Sequence, residues 1–197
     1  GIVLLVIHWL LSREFGVGAV AGFALIHYAL LLNIMLACAI AEVVHVLVSQ
    51  NNGAGQAIRS QLFFRLGLGL AVITGTALWC TSQWGSQALS QWFFSDANAT
   101  HYAQQFWPVI APVFLLTGAN LVISAWFTAQ QLPGRSALIA LSRSLILPLL
   151  FLWALHAHSI SVSFLWALPF AELVTLLIAT TLKAQYSSLW RAKLAFR

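Results

Sequence analysis

The chain has 197 residues, of which 61% are hydrophobic and only 7% charged, with nine Lys plus Arg against four Asp plus Glu and a formal charge of +5. Its mean hydropathy is +0.90. A soluble domain carries roughly a quarter charged residues, so a soluble fold is excluded, and the basic excess sits at the ends of apolar runs, where membrane topology accounts for it without a nucleic-acid partner.

The first apolar run, residues 1–11, would span about 16 Å as a helix against a hydrocarbon core about 30 Å thick. Either its beginning is missing or it does not cross the membrane; the resemblance described below takes it as a shortened first helix. Ser12-Arg13-Glu14-Phe15-Gly16 closes it. A long run then covers 17–50, and Asn51-Asn52-Gly53-Ala54-Gly55 ends it, because Asn and Gly accept the positive φ of a sharp turn. Residues 56–65 are amphipathic, carry Arg59 and Arg65, and are expected to lie along the inner interface before a helix through Trp84. Residues 85–100 are polar, hold Asp96 and leave room for a short surface helix. A further run covers 101–131, and Leu132-Pro133-Gly134 turns the chain. The last two helices are expected at 136–156 and 162–185. Pro108 and Pro112, then Pro148 and Pro169, each remove a backbone donor and are expected to kink their helices. Gly67, Gly69 and Gly75 are expected to permit close helix approach. Residues 1–185 thus form one transmembrane unit of about five full helices plus a shortened first one, and 186–197 form a basic tail.

Charge placement gives an orientation. Arg59, Arg65, Arg135, Lys183, Arg191, Lys193 and Arg197 fall at one set of helix ends, and Arg13 falls at the other. The positive-inside rule puts the first set, with the C-terminus, in the cytoplasm of a multi-pass protein of the cell inner (plasma) membrane. Trp9, Trp79, Trp84, Trp92, Trp107, Trp153 and Trp166 fall near outer ends, and Trp126 and Trp190 near inner ends, as an aromatic belt requires. Cys38 and Cys80 read as packed thiols rather than a disulfide.

A charge within hydrocarbon is costly and should face the bundle interior and find a partner. Three residues meet that description. Glu42 lies about 12 Å and Arg143 about 10 Å from the inner ends of their helices, and Glu172 is near the middle of the last helix. Arg143 is expected to pair with Glu42 or Glu172. Either carboxylate could take up a proton or meet a cationic substrate, or the pair could be a structural tether. Glu42 and His45 share one helical face, as in bundle di-metal sites, but such a site needs a second Glu-x-x-His that the sequence lacks, so a polar face toward a cavity is the preferred reading. Asn33, Asn120 and Ser124 are uncharged polar groups of the kind that join membrane helices. His27 is a candidate cavity-lining residue, whereas His156 and His158 read as exposed loop histidines. No phosphate loop, nucleophile triad or zinc motif is present, so neither an enzyme nor a cofactor is expected.

Four stretches in order resemble one family. Gln50-Asn51-Asn52-Gly53-Ala54-Gly55 followed by Arg59, then Ala125-Trp126-Phe127-Thr128-Ala129-Gln130, then Ala140-Leu141-Ser142-Arg143 with Leu147-Pro148, then Trp166 to Thr175, are similar to successive helices of a multidrug and toxic compound extrusion (MATE) transporter. The resemblance implies an all-α polytopic transmembrane helical bundle that is one lobe of a two-lobe MATE-like transporter. This chain resembles the C-terminal lobe, with the N-terminal lobe of the same protein as its partner. It implies alternating access, with organic cations exported against inward flow of protons or sodium. Part of the family couples through acidic residues in the first and fourth helices of this lobe, and the runs 2–11 and 101–131 have none. The candidate transport or coupling residues are therefore Glu42, His45, Asn33, Asn120, Arg143 and Glu172. A lipid-linked oligosaccharide flippase of the same wider superfamily and a non-transporting membrane scaffold are the alternatives.

Overall fold

Long apolar runs punctuated by Gly, Pro and Asn become a bundle of helices. The computed structural model describes the backbone of residues 1–93, 95–158 and 162–195, and the side chains of these except 85–87, 158, 162 and 188–195. The helices are α1 (Ile2–Glu14), α2 (Val17–Gly53), α3 (Ala57–Phe93), α4 (Ala97–Ile110), α5 (Pro112–Ala129), α6 (Pro133–Leu141), α7 (Leu147–His158) and α8 (Ala167–Ala195). A π-helical turn, Ser142–Ile146, joins α6 to α7, and a 3₁₀ turn, Val162–Trp166, precedes α8. No strand occurs among the described residues. Among the described residues, five stretches are long and apolar enough to cross a bilayer: Val17–Gly53, Ala57–Trp84, Pro112–Ala129, Pro133–Ala157 and Ser163–Ser187. The fold is an all-α polytopic bundle. Gly16 (φ 80°) and Gly55 (φ 70°) make the tight turns after α1 and α2.

Several expectations need correction. Residues 57–65 are the first turns of α3 rather than a separate interfacial helix. The same helix continues through the polar stretch to Phe93, so Cys80 is well inside it. Polarity ends the apolar run there without ending the helix, since Gln, Ala, Leu and Ser tolerate helical backbone. The new helix begins only where Asp96 caps α4 by accepting the Asn98 N–H at 3.1 Å. The run 101–131 is two helices broken at Ala111, where Pro112 gives no N–H to the Pro108 carbonyl. Pro169 does not interrupt a helix. It sits in the first turn of α8, where its missing donor would have had no intrahelical partner.

Between lipid-facing helices the hydrophobic effect gives little drive, because lipid tails are as apolar as the side chains. Close fit and polar contacts hold the bundle instead. A Cβ on Gly75 would lie 2.5 Å from the Phe114 carbonyl oxygen, and one on Gly22 would lie 2.7 Å from that of Ala99. These glycines set the α3–α5 and α2–α4 crossings. Gly67 packs on Val44, whereas Gly69 faces open space and permits no approach. The central helix is α5, with 67% of its span buried. It carries no charge and is apolar apart from a stripe of hydroxyl and amide side chains, which suits an interior helix.

Two apolar clusters stack along the bundle. One joins α1 and the first half of α2 to α4, the start of α5 and the 3₁₀ turn, through Ile7, Leu11, Phe23, Phe106, Phe114 and Phe164. The other joins the second half of α2 to the start of α3 and the end of α5, through Val48, Phe64, Val122, Trp126 and Phe127. Trp107 (4% exposed) and Trp126 (1%) are core residues of these clusters, not part of an interfacial belt. Trp126 packs edge-on against Phe127 and Tyr186, with ring centroids 5.1 and 5.4 Å away. Trp9, Trp84, Trp92 and Trp153 are exposed, as a belt requires. Trp190, Arg191, Lys193 and Arg197 lie outside the described side chains.

Candidate functional site

Between the two clusters lies a polar layer. On α2 it contributes Asn33; on α5, Thr117 and Asn120; on the π turn, Ser142 and Arg143; on α8, Glu172 and Thr175. Each residue falls where its helix passes from one apolar cluster to the other.

Glu172 is the centre of this layer and is 6% exposed. The Arg143 Nε donates to its Oε1 at 2.8 Å. The Thr117 hydroxyl lies 3.1 Å from the same oxygen and 2.9 Å from the Val113 carbonyl, so its one proton is shared between them. The Asn120 amide donates to Oε2 at 2.7 Å and to the Glu172 carbonyl at 2.9 Å. Both carboxylate oxygens therefore have donors, which is what burying a carboxylate requires. Charge compensation and hydrogen bonding together make this a tightly held pair.

The backbone under Arg143 explains its reach. Pro148 has no N–H to give the Ser144 carbonyl. The helix widens just before it, and the Leu147 N–H bonds to the Ser142 carbonyl five residues back. Such π turns interrupt an otherwise regular helix and often occur at functional sites. Among the described residues, the Arg143 side chain has no hydrogen bond other than that to Glu172.

A cavity of about 230 Å³ opens against this pair. Arg143, Ser144, Glu172, Thr117, Asn33 and His27 supply its polar wall, and Leu30, Leu31, Val113, Pro148 and Leu168 are among its apolar lining. Asn33 is 4% exposed, and its side-chain Nδ2 has no partner. A buried donor left unpaired costs about 1–3 kcal/mol, so this group favours an acceptor in the cavity. The His27 and His8 rings meet edge to face at 5.5 Å beside it.

The six candidates from the sequence divide cleanly. Asn33, Asn120, Arg143 and Glu172 come together in the polar layer or its cavity. Arg143 pairs with Glu172 and not with Glu42. Glu42 is exposed, contrary to the expectation that it faces the interior. The packed face of this half of α2 is Ala37, Ala41, Val44 and Val48, and Glu42 lies one step around the helix from Ala41. His45 is half-buried and outside the layer. Thr117 was missed, although it begins a polar stripe with Asn120, Ser124 and Thr128 at helical spacing. The lower part of that stripe ties α5 to α6, with Ser124 Oγ 2.9 Å and Thr128 Oγ1 2.8 Å from the Ser136 hydroxyl. His156 is not an exposed loop histidine. It is half-buried, with Nε2 3.3 Å from Glu14 Oε1, joining α7 to α1. His158 lies outside the described side chains.

The family model described as MatE matches residues 2–153, well over half of the chain. No curated protein and no solved structure gives a significant match.

Proposed function

Because this chain belongs to the MatE family of membrane transporters, we propose that it is the C-terminal half of an antiporter that exports amphipathic organic cations by alternating access. The observation that carries this reading is the buried Arg143–Glu172 pair on the wall of a largely apolar cavity. A carboxylate in such a place has three mutually exclusive partners: the guanidinium, a coupling cation, or a cationic substrate. A proton on Glu172 removes the charge that holds Arg143, and a substrate cation must displace the same contact. Exclusion of one cation by another at a single carboxylate is what exchange requires. The coupling ion supplies energy only by binding one conformation better than the other. The apolar lining suits the hydrocarbon part of an amphipath, and the Asn33 amide offers it a hydrogen bond.

The other half of the cavity wall belongs, in this reading, to the N-terminal lobe of the same protein. The protein sits in the inner membrane with its C-terminus in the cytoplasm, following the basic residues at that end. The test uses the protein carrying both lobes, reconstituted in liposomes loaded with a fluorescent organic cation. Proton and sodium gradients are imposed in turn on wild type, Glu172→Gln and Glu42→Gln. Gradient-driven movement in wild type and in Glu42→Gln, lost in Glu172→Gln, is the expected result and identifies the ion. Movement unchanged in Glu172→Gln would assign the pair to architecture. No movement under either gradient would favour a flippase, and indifference to loss of every intramembrane charge a scaffold.

A further inference from the structure

A second pocket, of about 280 Å³, lies at the other end of the second apolar cluster. It is lined by Ser60, Gln61, Arg65, Trp126, Gln130 and Tyr186, with the first residue of α3, Ala57, at its edge. Two of its donors are buried and unpartnered. Ser60 and Trp126 are each 1% exposed, and among the described residues neither the Ser60 hydroxyl nor the Trp126 Nε1 has a hydrogen bond. Leaving either without an acceptor is costly.

The surroundings are cationic. Arg65 is on the wall. The Lys183 ammonium lies 4.3 Å from the Phe64 ring centroid and 4.5 Å from that of Trp126. The Arg135 guanidinium lies 5.6 Å from the Tyr186 ring, with its Nη1 buried and unpartnered. Among the described residues, none of these three cations has an ion pair, since the pairs present are Arg143–Glu172 and His156–Glu14. The start of α3 adds the positive end of a helix 37 residues long. Three unpaired cations, a helix N-terminus and two orphaned donors around one pocket form a site for a singly or doubly charged oxyanion.

What carries that anion follows from the surface beside the pocket. Ile58, Leu62, Leu66, Leu70 and Ile73 are all exposed, by 89, 51, 59, 50 and 67%. Their three- and four-residue spacing makes one apolar stripe up α3, beside Arg65 and Gln61 on the helix surface and about half a turn around from Ser60, running toward the middle of the span. A polar, cationic pocket at the end of a membrane helix, continued by an apolar stripe at hydrocarbon depth, matches a headgroup continued by an acyl chain. We propose that this pocket binds the phosphodiester headgroup of an anionic phospholipid, with its acyl chain on the α3 stripe. Phosphate contacts come from Arg65, the Ser60 hydroxyl and the Trp126 N–H, and Lys183 and Arg135 supply field from behind the aromatic rings.

The test is native mass spectrometry of the detergent-purified protein, titrated separately with phosphatidylglycerol, phosphatidylcholine and inorganic phosphate. Wild type should retain phosphatidylglycerol in preference to phosphatidylcholine. Losing a hydrogen bond to a charged group weakens binding by about tenfold or more. Arg65→Gln and Ser60→Ala should each show that loss, and Trp126→Phe, which keeps a ring in the cluster, a loss in the same direction. Arg59→Gln should bind as wild type does, because Arg59 is exposed, bonds to Gln56 and is not part of the pocket. Lipid-free unfolding midpoints identify any variant that is simply unstable, and Ser60→Ala, the smallest change, then decides. Undiminished phosphatidylglycerol binding in Ser60→Ala and Arg65→Gln would overturn the proposal. Equal retention of the two lipids, or inorganic phosphate binding as tightly as phosphatidylglycerol, would also overturn it, the latter in favour of a soluble anion.

Discussion

Removing Arg143 should be among the most damaging single changes to this fold. The pair is nearly dry, with side-chain exposures of 12% for Arg143 and 8% for Glu172. In Arg143→Ala the Glu172 carboxylate keeps its Thr117 and Asn120 donors but loses its counter-charge, and stranding one partner of a buried pair costs about 3–5 kcal/mol. Glu172→Gln is also not silent. Both carboxylate oxygens accept hydrogen bonds, so in either orientation a glutamine turns its NH₂ toward a donor. The unpartnered Asn120 Oδ1 offers relief if that amide rotates, at the expense of its bond to the Glu172 carbonyl. That variant should therefore lose about 1–3 kcal/mol, one unsatisfied buried group. The double variant, with no charge left in the layer, should be less destabilised than the sum of the two by more than about 1 kcal/mol. Denaturant unfolding in mixed micelles measures all three. Single effects that add to within about 0.5 kcal/mol would refute the coupling, and with it the idea that this pair organises the layer.

Other expectations follow from particular contacts. Gly75→Ala places a methyl group against the Phe114 carbonyl, so α3 and α5 must separate, at a cost of about 1–3 kcal/mol in the same unfolding assay. Gly69→Ala, facing open space, should leave the midpoint unchanged or raise it. Lys183→Met keeps the stem of the side chain but removes the ammonium held between the Phe64 and Trp126 rings, and should lose about 0.5–2 kcal/mol. Pro148→Ala restores an N–H for the Ser144 carbonyl and should regularise the π turn. A changed register would carry Arg143 around the helix, so cation movement should fall while the helical circular dichroism is retained.

The architecture was legible in the sequence because a bilayer imposes length, apolarity and loop charge together. The breaks expected at Asn51 to Gly55 and at Leu132-Pro133-Gly134 fall within a few residues of the turns, which lie at 54–56, where Gly55 takes a positive φ, and at 130–132, with Pro133 starting α6. The junction after Trp84 was misread because hydropathy reports where a helix leaves hydrocarbon, not where it stops. The tryptophans failed in the same way. Interfacial depth and core burial select the same residue type, so Trp126 and Trp153 looked alike although one is buried and the other exposed.

Glu42 and Glu172 show why a candidate site is less legible than the fold around it. Each is a lone carboxylate inside an apolar helix, and each follows a packed alanine, Ala41 or Ala171. Periodicity gives the direction of the packed face but not its width, and the width depends on which side chains the neighbouring helices place beside it. At Ala41 the buried arc of α2 is narrow and ends before Glu42. At Ala171, α8 is flanked by both α5 and the π turn, and its arc extends across Glu172 to Thr175. The deciding information therefore lies on other helices, in Thr117, Asn120 and Arg143, which are 55, 52 and 29 residues away along the chain. A polar stripe on α5 and an arginine five residues before Pro148, just ahead of the carbonyl that loses its donor, were each visible alone. Their meaning as one site depends on the bundle placing them at a single depth, between two apolar clusters that leave a buried charge no other partner.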